Sequence, residues 1–328
     1  MTKSTPNNGY HPPLDKEMLL ADICEMYYLQ GKNQAEIGKI IDLTPSMVSR
    51  LLTEARQRNM LEIRIRRPIQ SDFQLENALK ERFNLQAATV VTIRGFEFSW
   101  LKYLGAAGAN VMKQYLKPDM VIGIAWGNTL RELVEAFDTQ LSMPSKLVEL
   151  TGALGSRVSE YEGHGITSNL ARKLGAEHYF LNAPFLCGSA ETASALLKDK
   201  VISQPLELAE KADIALMGVG SLDRELATVL RYGYLSMELI QTLRNNGAVG
   251  NVCGLYFDIY GNSACAEFCK RIITISREDL FKIPVRIGIS GGPDKAIPIL
   301  GALRGGFINV LITDNLTARA ILEQDQIT

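Results

Sequence analysis

The chain is poor in the residues that mark several common protein classes. Among its 328 residues it has three histidines, two tryptophans and five cysteines. The cysteines (Cys24, Cys187, Cys253, Cys265, Cys269) are scattered, odd in number, and never form a Cys-x-x-Cys pair. Cys265 and Cys269 lie four apart, but His11, His164 and His178 are remote from them, so neither a disulfide framework nor a metal site is expected. Free thiols in a reducing compartment fit better. No apolar run reaches the ~20 residues of a membrane-spanning helix, and the polar N-terminus has no signal-peptide core. A cytoplasmic protein without a membrane partner is therefore expected. The formal net charge is only −1, which argues against a chain that coats nucleic acid and leaves room for local DNA contact only. Neither Gly-x-Gly-x-x-Gly nor a phosphate loop ending Gly-Lys-Ser/Thr occurs, and no cofactor is expected.

What is present is a long chain, 46% hydrophobic, enough for two domains. Its clearest local pattern is Leu43-Thr44-Pro45-Ser46-Met47-Val48-Ser49-Arg50-Leu51-Leu52. Thr44 is an N-cap candidate and Pro45 occupies the first helical position, where its missing N–H costs nothing. Val48, Leu51 and Leu52 share one face. Ser46, Met47, Ser49 and Arg50 are left on the other, a small, polar and basic surface suited to a DNA major groove. Upstream, Asn33-Gln34-Ala35-Glu36 forms a capping box, with Ile37, Ile40 and Ile41 as the apolar face of the partner helix. Met18, Leu19, Ile23, Met26 and Tyr27 predict a helix before these, stopped at Gly31. The alternative is an ordinary helical hairpin.

Arg50, Arg56, Arg58, Arg64, Arg66 and Arg67 add a local basic bias. Glu62-Ile63-Arg64-Ile65-Arg66-Arg67 alternates as a half-buried strand does, suited to a wing along a phosphate backbone. A solvated strand edge is the alternative. Base reading is assigned to Ser46, Met47, Ser49 and Arg50 and phosphate contact to Arg56, Arg58, Arg64 and Arg66, with Gln34 and Thr44 as further DNA-binding candidates.

Residues 1–13 are polar and proline-rich and are expected to form a disordered tail. The DNA-reading unit spans 14–67, followed by an amphipathic linker helix over 68–84. Its partner, either another subunit or the next domain, is left open. From residue 85 to 328, apolar strands alternate with helices. Strands are predicted at Ala87–Ile93, Met120–Trp126, Leu147–Ala153, Asp213–Val219, Val285–Ser290 and Ile308–Asp314. Helices are predicted at Trp100–Leu116 and Asn128–Phe137. This pattern indicates an α/β, Rossmann-like effector domain with a largely parallel sheet.

Ligands in such sheets bind at the carboxyl ends of strands. Four glycine-bearing segments read as turns leading from strand to helix: Gly123–Leu130, Gly218–Ser221, Gly250–Gly254 with Asp258, and Ile287–Lys295. Gly127, Asn128, Thr129, Gly220, Asn251, Asp258, Gly291, Gly292 and Lys295 are the candidate effector contacts. A lysine in the first turn of a helix opposes the helix dipole, which an anion beside it would explain.

Through Gln34–Ile40, Val48–Leu52, Gly127-Asn128-Thr129, Gly218–Ser221, Gly250–Gly254 with Phe257-Asp258, Gly288–Gly292 with Lys295, Ala302–Gly306 and Asn309–Asp314, the chain resembles the SorC family of bacterial transcriptional regulators. The resemblance covers about residues 14–324. It implies a C-terminal domain related in fold to sugar-phosphate isomerases, binding a phosphorylated sugar or polyol without turning it over. It further implies a homotetramer acting on operator DNA of a carbohydrate operon. Many relatives carry Asp where this chain has Asn251, and Pro298 falls soon after Lys295, where it would delay or kink a helix.

The leading expectation is thus an effector-controlled, non-enzymatic regulator. One alternative is a sugar-phosphate isomerase or deaminase with an appended DNA-binding head, for which Glu149, Asp223 and His164 are the acid–base candidates. Another is a pure oligomerisation scaffold.

Overall fold

The computed structural model describes residues 13–61, 69–93, 100–137, 143–153, 163–223 and 235–327. The chain divides into two compact units, 1–67 and 68–328. The expected tail up to residue 12 and the expected wing at 62–67, with Arg64 and Arg66, lie outside the described residues.

The first unit contains α1 (Pro13–Cys24), a π-helical turn (Glu25–Leu29), α2 (Gln34–Ile41) and α3 (Pro45–Gln57). Local chemistry sets these boundaries. Asn33 Oδ1 accepts from the amides of Ala35 and Glu36, each at 3.0 Å, and Glu36 Oε2 accepts in return from Asn33 N at 2.9 Å. Thr44 caps α3 more weakly, through Met47 N at 3.4 Å. Between the helices Asp42 takes a left-handed conformation with φ 57°. The chain folds back so tightly that a Cβ on Gly38 would meet the Leu43 carbonyl oxygen at 2.3 Å. Leu20, Ile23, Cys24, Ile37, Val48, Leu52 and Ala55 form the core. Two positions expected in apolar faces are instead exposed, Met18 at 63% and Ile40 at 58%. In α1, Leu20 and Cys24 fill the inner face around Ile23, a stripe shifted from the expected one. In α2, Ile37 and the partly buried Ile41 suffice to close the short helix onto α3.

The second unit opens with α4 (Phe73–Phe83), capped by Asp72, and β1 (Ala87–Val91). There follow α5 (Trp100–Tyr115), β2 (Val121–Ile124), α6 (Asn128–Ala136), β3 (Lys146–Glu149), α7 (Gly163–Leu174), β4 (Glu177–Tyr179), α8 (Ala190–Leu196), α9 (Lys200–Ala209) and β5 (Ile214–Met217). After them come β6 (Gly220–Ser221), α10 (Met237–Asn245), β7 (Gly250–Val252), β8 (Leu255–Phe257), α11 (Ala266–Cys269), α12 (Arg277–Lys282) and β9 (Val285–Ile289). A 3-10 turn (Pro293–Lys295) leads into α13 (Ala296–Arg304), then β10 (Val310–Asp314) and α14 (Asn315–Ile327). The linker helix α4 buries Leu75 and Leu79 in the same core as the sheet, so it packs on its own domain.

Seven strands form one parallel sheet in the order β1-β10-β9-β5-β2-β3-β4. The α/β architecture with a largely parallel, Rossmann-like sheet is what the strand–helix alternation indicated. Of the inner strands, β5 and β10 are buried along their whole length and β2, β3 and β9 over their last three residues, which is why they read as continuous apolar runs. From β2 the chain winds outward through β3 to β4. From β5 it winds the other way, through β9 to β10. The β2/β5 boundary is therefore the switch point, where connections leave the strand ends in opposite directions and open a crevice.

A second, antiparallel sheet, β6-β7-β8, stands beside this crevice. Gly250–Gly254 was expected to lead into a helix. It forms β7 and a two-residue hairpin turn, Cys253-Gly254, in which both φ angles are positive, 52° and 78°, the pattern that suits right-twisted strands. Gly218–Ser221 itself carries a strand, β6, and the residues it leads into at 224–234 lie outside the described ones.

Candidate functional site

The crevice is a cavity of about 410 Å³, within the usual range for small-molecule sites. The carboxyl ends of β2, β5 and β9 and the β7–β8 hairpin enclose it. Gly127, Asn128, Thr129, Gly220, Asn251, Gly291, Gly292 and Lys295 all line it. Eight of the nine expected effector positions are thus brought together from segments up to 168 residues apart.

Asp258 is not among them. Its Oδ1 accepts from Tyr260 N (2.9 Å) and Asn262 N (2.8 Å), and its Oδ2 from Asn262 Nδ2 (3.2 Å). The carboxylate closes its own turn, which explains why Asp stands there and corrects its assignment as an effector contact.

The first wall is the start of α6. Gly127 occupies the cap position with φ 151° and supplies no side-chain cap, so first-turn N–H groups are left to face the cavity, a favourable anion environment. Thr129 does not offer its hydroxyl proton to a ligand. Its Oγ1 donates to the Ile289 carbonyl at 2.9 Å and so ties α6 to β9. The second wall is the turn after β9. Lys295 ends the 3-10 turn, and its Nζ donates to the Val219 carbonyl at 2.8 Å. That contact holds the ammonium over the end of β5. Pro298 is the third residue of α13, in the first turn, where proline's missing N–H breaks no helical bond.

The third wall is the hairpin. Asn251 Oδ1 accepts from Gly254 N at 3.3 Å, which orients the amide with Nδ2 over Gly220. A Cβ at residue 220 would meet that nitrogen at 2.5 Å. Burial pushes the nearby Cys253 thiol up to about 12, so it lines the cavity as a neutral group. Of the lining residues, Asp294 bears the carboxylate and Lys295 the ammonium.

Trp100, Trp126, Thr151, Ser221, Ser290 and Asp294 also line the cavity and were not singled out beforehand. Trp126, Ser221, Ser290 and Asp294 lie inside the glycine-bearing segments, so a signal for them is present in the sequence. Trp100 begins α5, far from any glycine motif, and only the fold brings it against Gly291 and Gly292. Both tryptophans of the chain therefore border the site.

The acid–base candidates Glu149, His164 and Asp223 do not line the cavity. Glu149 is buried (3% exposed). Its Oε1 faces His164 Nδ1 at 2.7 Å and accepts from Thr167 Oγ1 at 3.3 Å, and its Oε2 accepts from Leu181 N at 2.9 Å. Both oxygens are used to hold β3, α7 and the segment after β4 together.

In the first unit, Thr44, Ser46, Met47 and Arg50 are exposed on α3, and Ser49 is half-buried. Gln34 is half-buried at the start of α2. Among the described residues Arg50 has no hydrogen-bond or ion-pair partner. Arg56 and Arg58 are engaged within the unit. Arg56 donates to the Tyr28 hydroxyl from Nη2 (2.7 Å) and Nε (3.1 Å). Arg58 pairs with Glu54 at 2.6 Å, which also pairs with Lys16 at 2.9 Å.

Comparison with known proteins gives a consistent result. The family model Sugar-bind, a sugar-binding domain, matches residues 67–323. The chain is similar to the deoxyribonucleoside regulator of Bacillus subtilis, 29% identical over 310 residues, covering 94% of this chain and 98% of that protein. It is 31% identical to the transcriptional regulator LsrR of Escherichia coli over 315 residues, 94% of this chain and 95% of the relative. The crystal structure of the full-length sorbitol operon regulator SorC of Klebsiella pneumoniae superposes with a TM-score of 0.71 at 28% identity. That match covers 94% of this chain and 99% of the other.

Proposed function

The chain belongs to the Sugar-bind family of SorC-type transcriptional regulators, and from that premise we propose that it is an operator-binding switch thrown by a phosphorylated sugar or polyol. It is a DNA-binding transcriptional regulator, and its C-terminal domain is the effector-binding part. The observation that carries the finer reading is the donor-lined cavity at the switch point. The uncapped start of α6 and Lys295 suit a phosphate, and the neutral amide of Asn251 suits a sugar oxygen that accepts a hydrogen bond. Ser46, Met47, Ser49 and Arg50 read bases, with Gln34 and Thr44 beside them. The regulator acts as a homotetramer in the cytoplasm and binds its effector without turnover. The last point is supported by relatives named as regulators and by a Glu149 carboxylate already saturated by its neighbours.

A gel-shift titration tests this. Full-length protein is mixed with duplex from upstream of its own gene, with and without glucose 6-phosphate, fructose 6-phosphate, sorbitol 6-phosphate or deoxyribose 5-phosphate. Tryptophan fluorescence is followed in parallel, because both indoles border the cavity. The expected result is specific binding that one compound alters, with the fluorescence response lost in Lys295→Ala. No specific binding at any salt would overturn the regulator reading. A response undiminished in Lys295→Ala would overturn the placement of the anion.

A further inference from the structure

One helix of the second unit is joined at its start to the cavity wall and along its length to the first helix after the DNA-reading unit. α14 starts one residue after Asp314, a carboxylate only 1% exposed. Asp314 Oδ2 accepts from Gly292 N at 2.8 Å and from Thr317 Oγ1 at 2.6 Å, and Oδ1 accepts from Thr317 N at 2.8 Å. The same side chain therefore caps α14 and holds the glycine turn of the cavity wall. Trp100 packs against the same turn. A buried carboxylate with three donors is costly to leave unpaired, so the turn and the helix start move together.

Along its length α14 is bound to α4. Arg319 pairs with Asp72, the α4 cap, at 3.7 Å. Near the C-terminus the buried Asp325 receives Arg82 from the end of α4. It also receives Arg304 from the end of α13, at 2.7 Å from Nη2 and 3.0 Å from Nε. α13 itself begins immediately after Lys295. The segment before α4 is zipped to β1, since Asp72 N donates to Val90 O (2.9 Å) and Thr92 N to Gln70 O (2.7 Å). Ile93 N, just past β1, donates to Asn315 Oδ1 at 2.9 Å.

We propose that Asp314 is a positioning residue for the Gly291–Gly292 wall and that α14 transmits the state of that wall to α4, the first helix after the DNA-reading unit. The regulatory meaning of this link rests on the effector reading of the cavity. The mechanical link does not, because every contact in it is made between groups of the chain itself. A ligand that draws the turn inward pulls on Asp314 and so on α14. α14 in turn cannot shift without carrying α4 or breaking the Asp72–Arg319 and Arg82–Asp325 pairs.

Amide hydrogen exchange on the full-length protein, with no ligand present, tests the link. Two perturbations act at the cavity end. Gly292→Ala strains a position with φ 98°. Thr317→Val removes one donor to Asp314 while keeping the side chain's shape, and serves if the first variant folds poorly. α9, which packs on β2 and β3, is the internal control. Each variant should speed exchange in α14 and α4 by at least about five-fold, the lower end of ordinary coupling, with α9 within two-fold. In an Arg82→Ala/Arg319→Ala background the α4 response should vanish while the α14 response remains. Unchanged α4 exchange in both variants would overturn the proposal. So would an α9 response as large as that of α4, or an α4 response that survives loss of the two arginines. Because no effector is used, failure here leaves the effector reading intact, and failure to find an effector leaves this link intact.

Discussion

Replacement of Arg50 by alanine separates base reading from helix maintenance. Arg50 is exposed on α3 and has no partner among the described residues, so its removal leaves the folding of the unit unchanged. Under the proposed function its value lies in DNA contact. A guanidinium on a guanine edge is worth about 1–3 kcal/mol of specific binding, which is roughly a 5- to 150-fold loss of affinity. Arg56 is the contrasting case. Its two hydrogen bonds to Tyr28 and the placement of its guanidinium 5.9 Å above that ring tie α3 to the turn after α1. Arg56→Ala is therefore expected to lower the unfolding midpoint of the unit more than it lowers sequence preference. The assay is fluorescence anisotropy on a duplex selected from random sequence, repeated across salt concentrations and on an unrelated duplex. Arg50→Ala should lose affinity on the selected duplex alone. The assignment is refuted if Arg50→Ala binds the selected duplex within two-fold of the parent, or weakens both duplexes equally.

Three further outcomes follow from the contacts described. Asn33→Ala removes an oxygen that receives two amides at 3.0 Å and should cost about 1–2 kcal/mol, whereas Thr44→Ala, with one contact at 3.4 Å, should cost about 0.5 kcal/mol or less; equal losses in chemical unfolding would contradict this ranking. Burial acts to raise the Asp325 carboxyl, but Arg82 and Arg304 outweigh it and hold the group below its ordinary 3.8, so its contribution is fully present above that value and is lost as pH falls through the lower folded value. Asp325→Asn should therefore flatten the stability curve below about pH 4, and an unaltered acid limb would count against the pairing. Sugar phosphates incubated with the protein should be recovered unchanged by NMR, and conversion that disappears in Lys295→Ala would establish an enzyme.

The parts of this fold that were legible in the sequence are those whose causes are local. Asn33 with Glu36 and Thr44 with Pro45 carry their reasons within four residues, and both helices start where those residues predict. The inner strands β2, β5, β9 and β10 are buried on both faces, so their apolar runs could be read directly. β4 could not. Glu177, His178 and Tyr179 form an exposed edge strand with no apolar pattern to find. The β7–β8 hairpin was misread because glycine after a strand suits both a turn into a helix and a turn into another strand. Only the positive φ of Cys253, a residue rarely found there, distinguishes the two. Asp258 was misassigned for a related reason, since an aspartate beside glycines looks alike whether it binds a ligand or closes its own turn. Trp100 owes its place at the cavity to the pairing of β9 with β10, a non-local fact.

The cavity's own hydrogen bonds bear on how such a protein could signal. Thr129 is committed to Ile289, Lys295 donates to Val219, Asn251 accepts from Gly254, and Gly292 is held by Asp314. Much of the polar lining thus holds the cavity in shape through the chain's own hydrogen bonds. That arrangement favours affinity, because little ordering is required on binding. It does not by itself favour a switch, because a ligand shifts an equilibrium only by its difference in affinity for two states. A cavity fixed on every side would bind tightly and signal nothing. The contacts of this site differ in what lies behind them. Thr129 joins two elements of the sheet layer, and Asn251 closes a hairpin on itself. Gly292, through Asp314, is attached to a helix bound to the segment that enters the DNA-reading unit. Under the proposed link, the difference in affinity that a switch requires arises at the glycine turn, where a small displacement has somewhere to go.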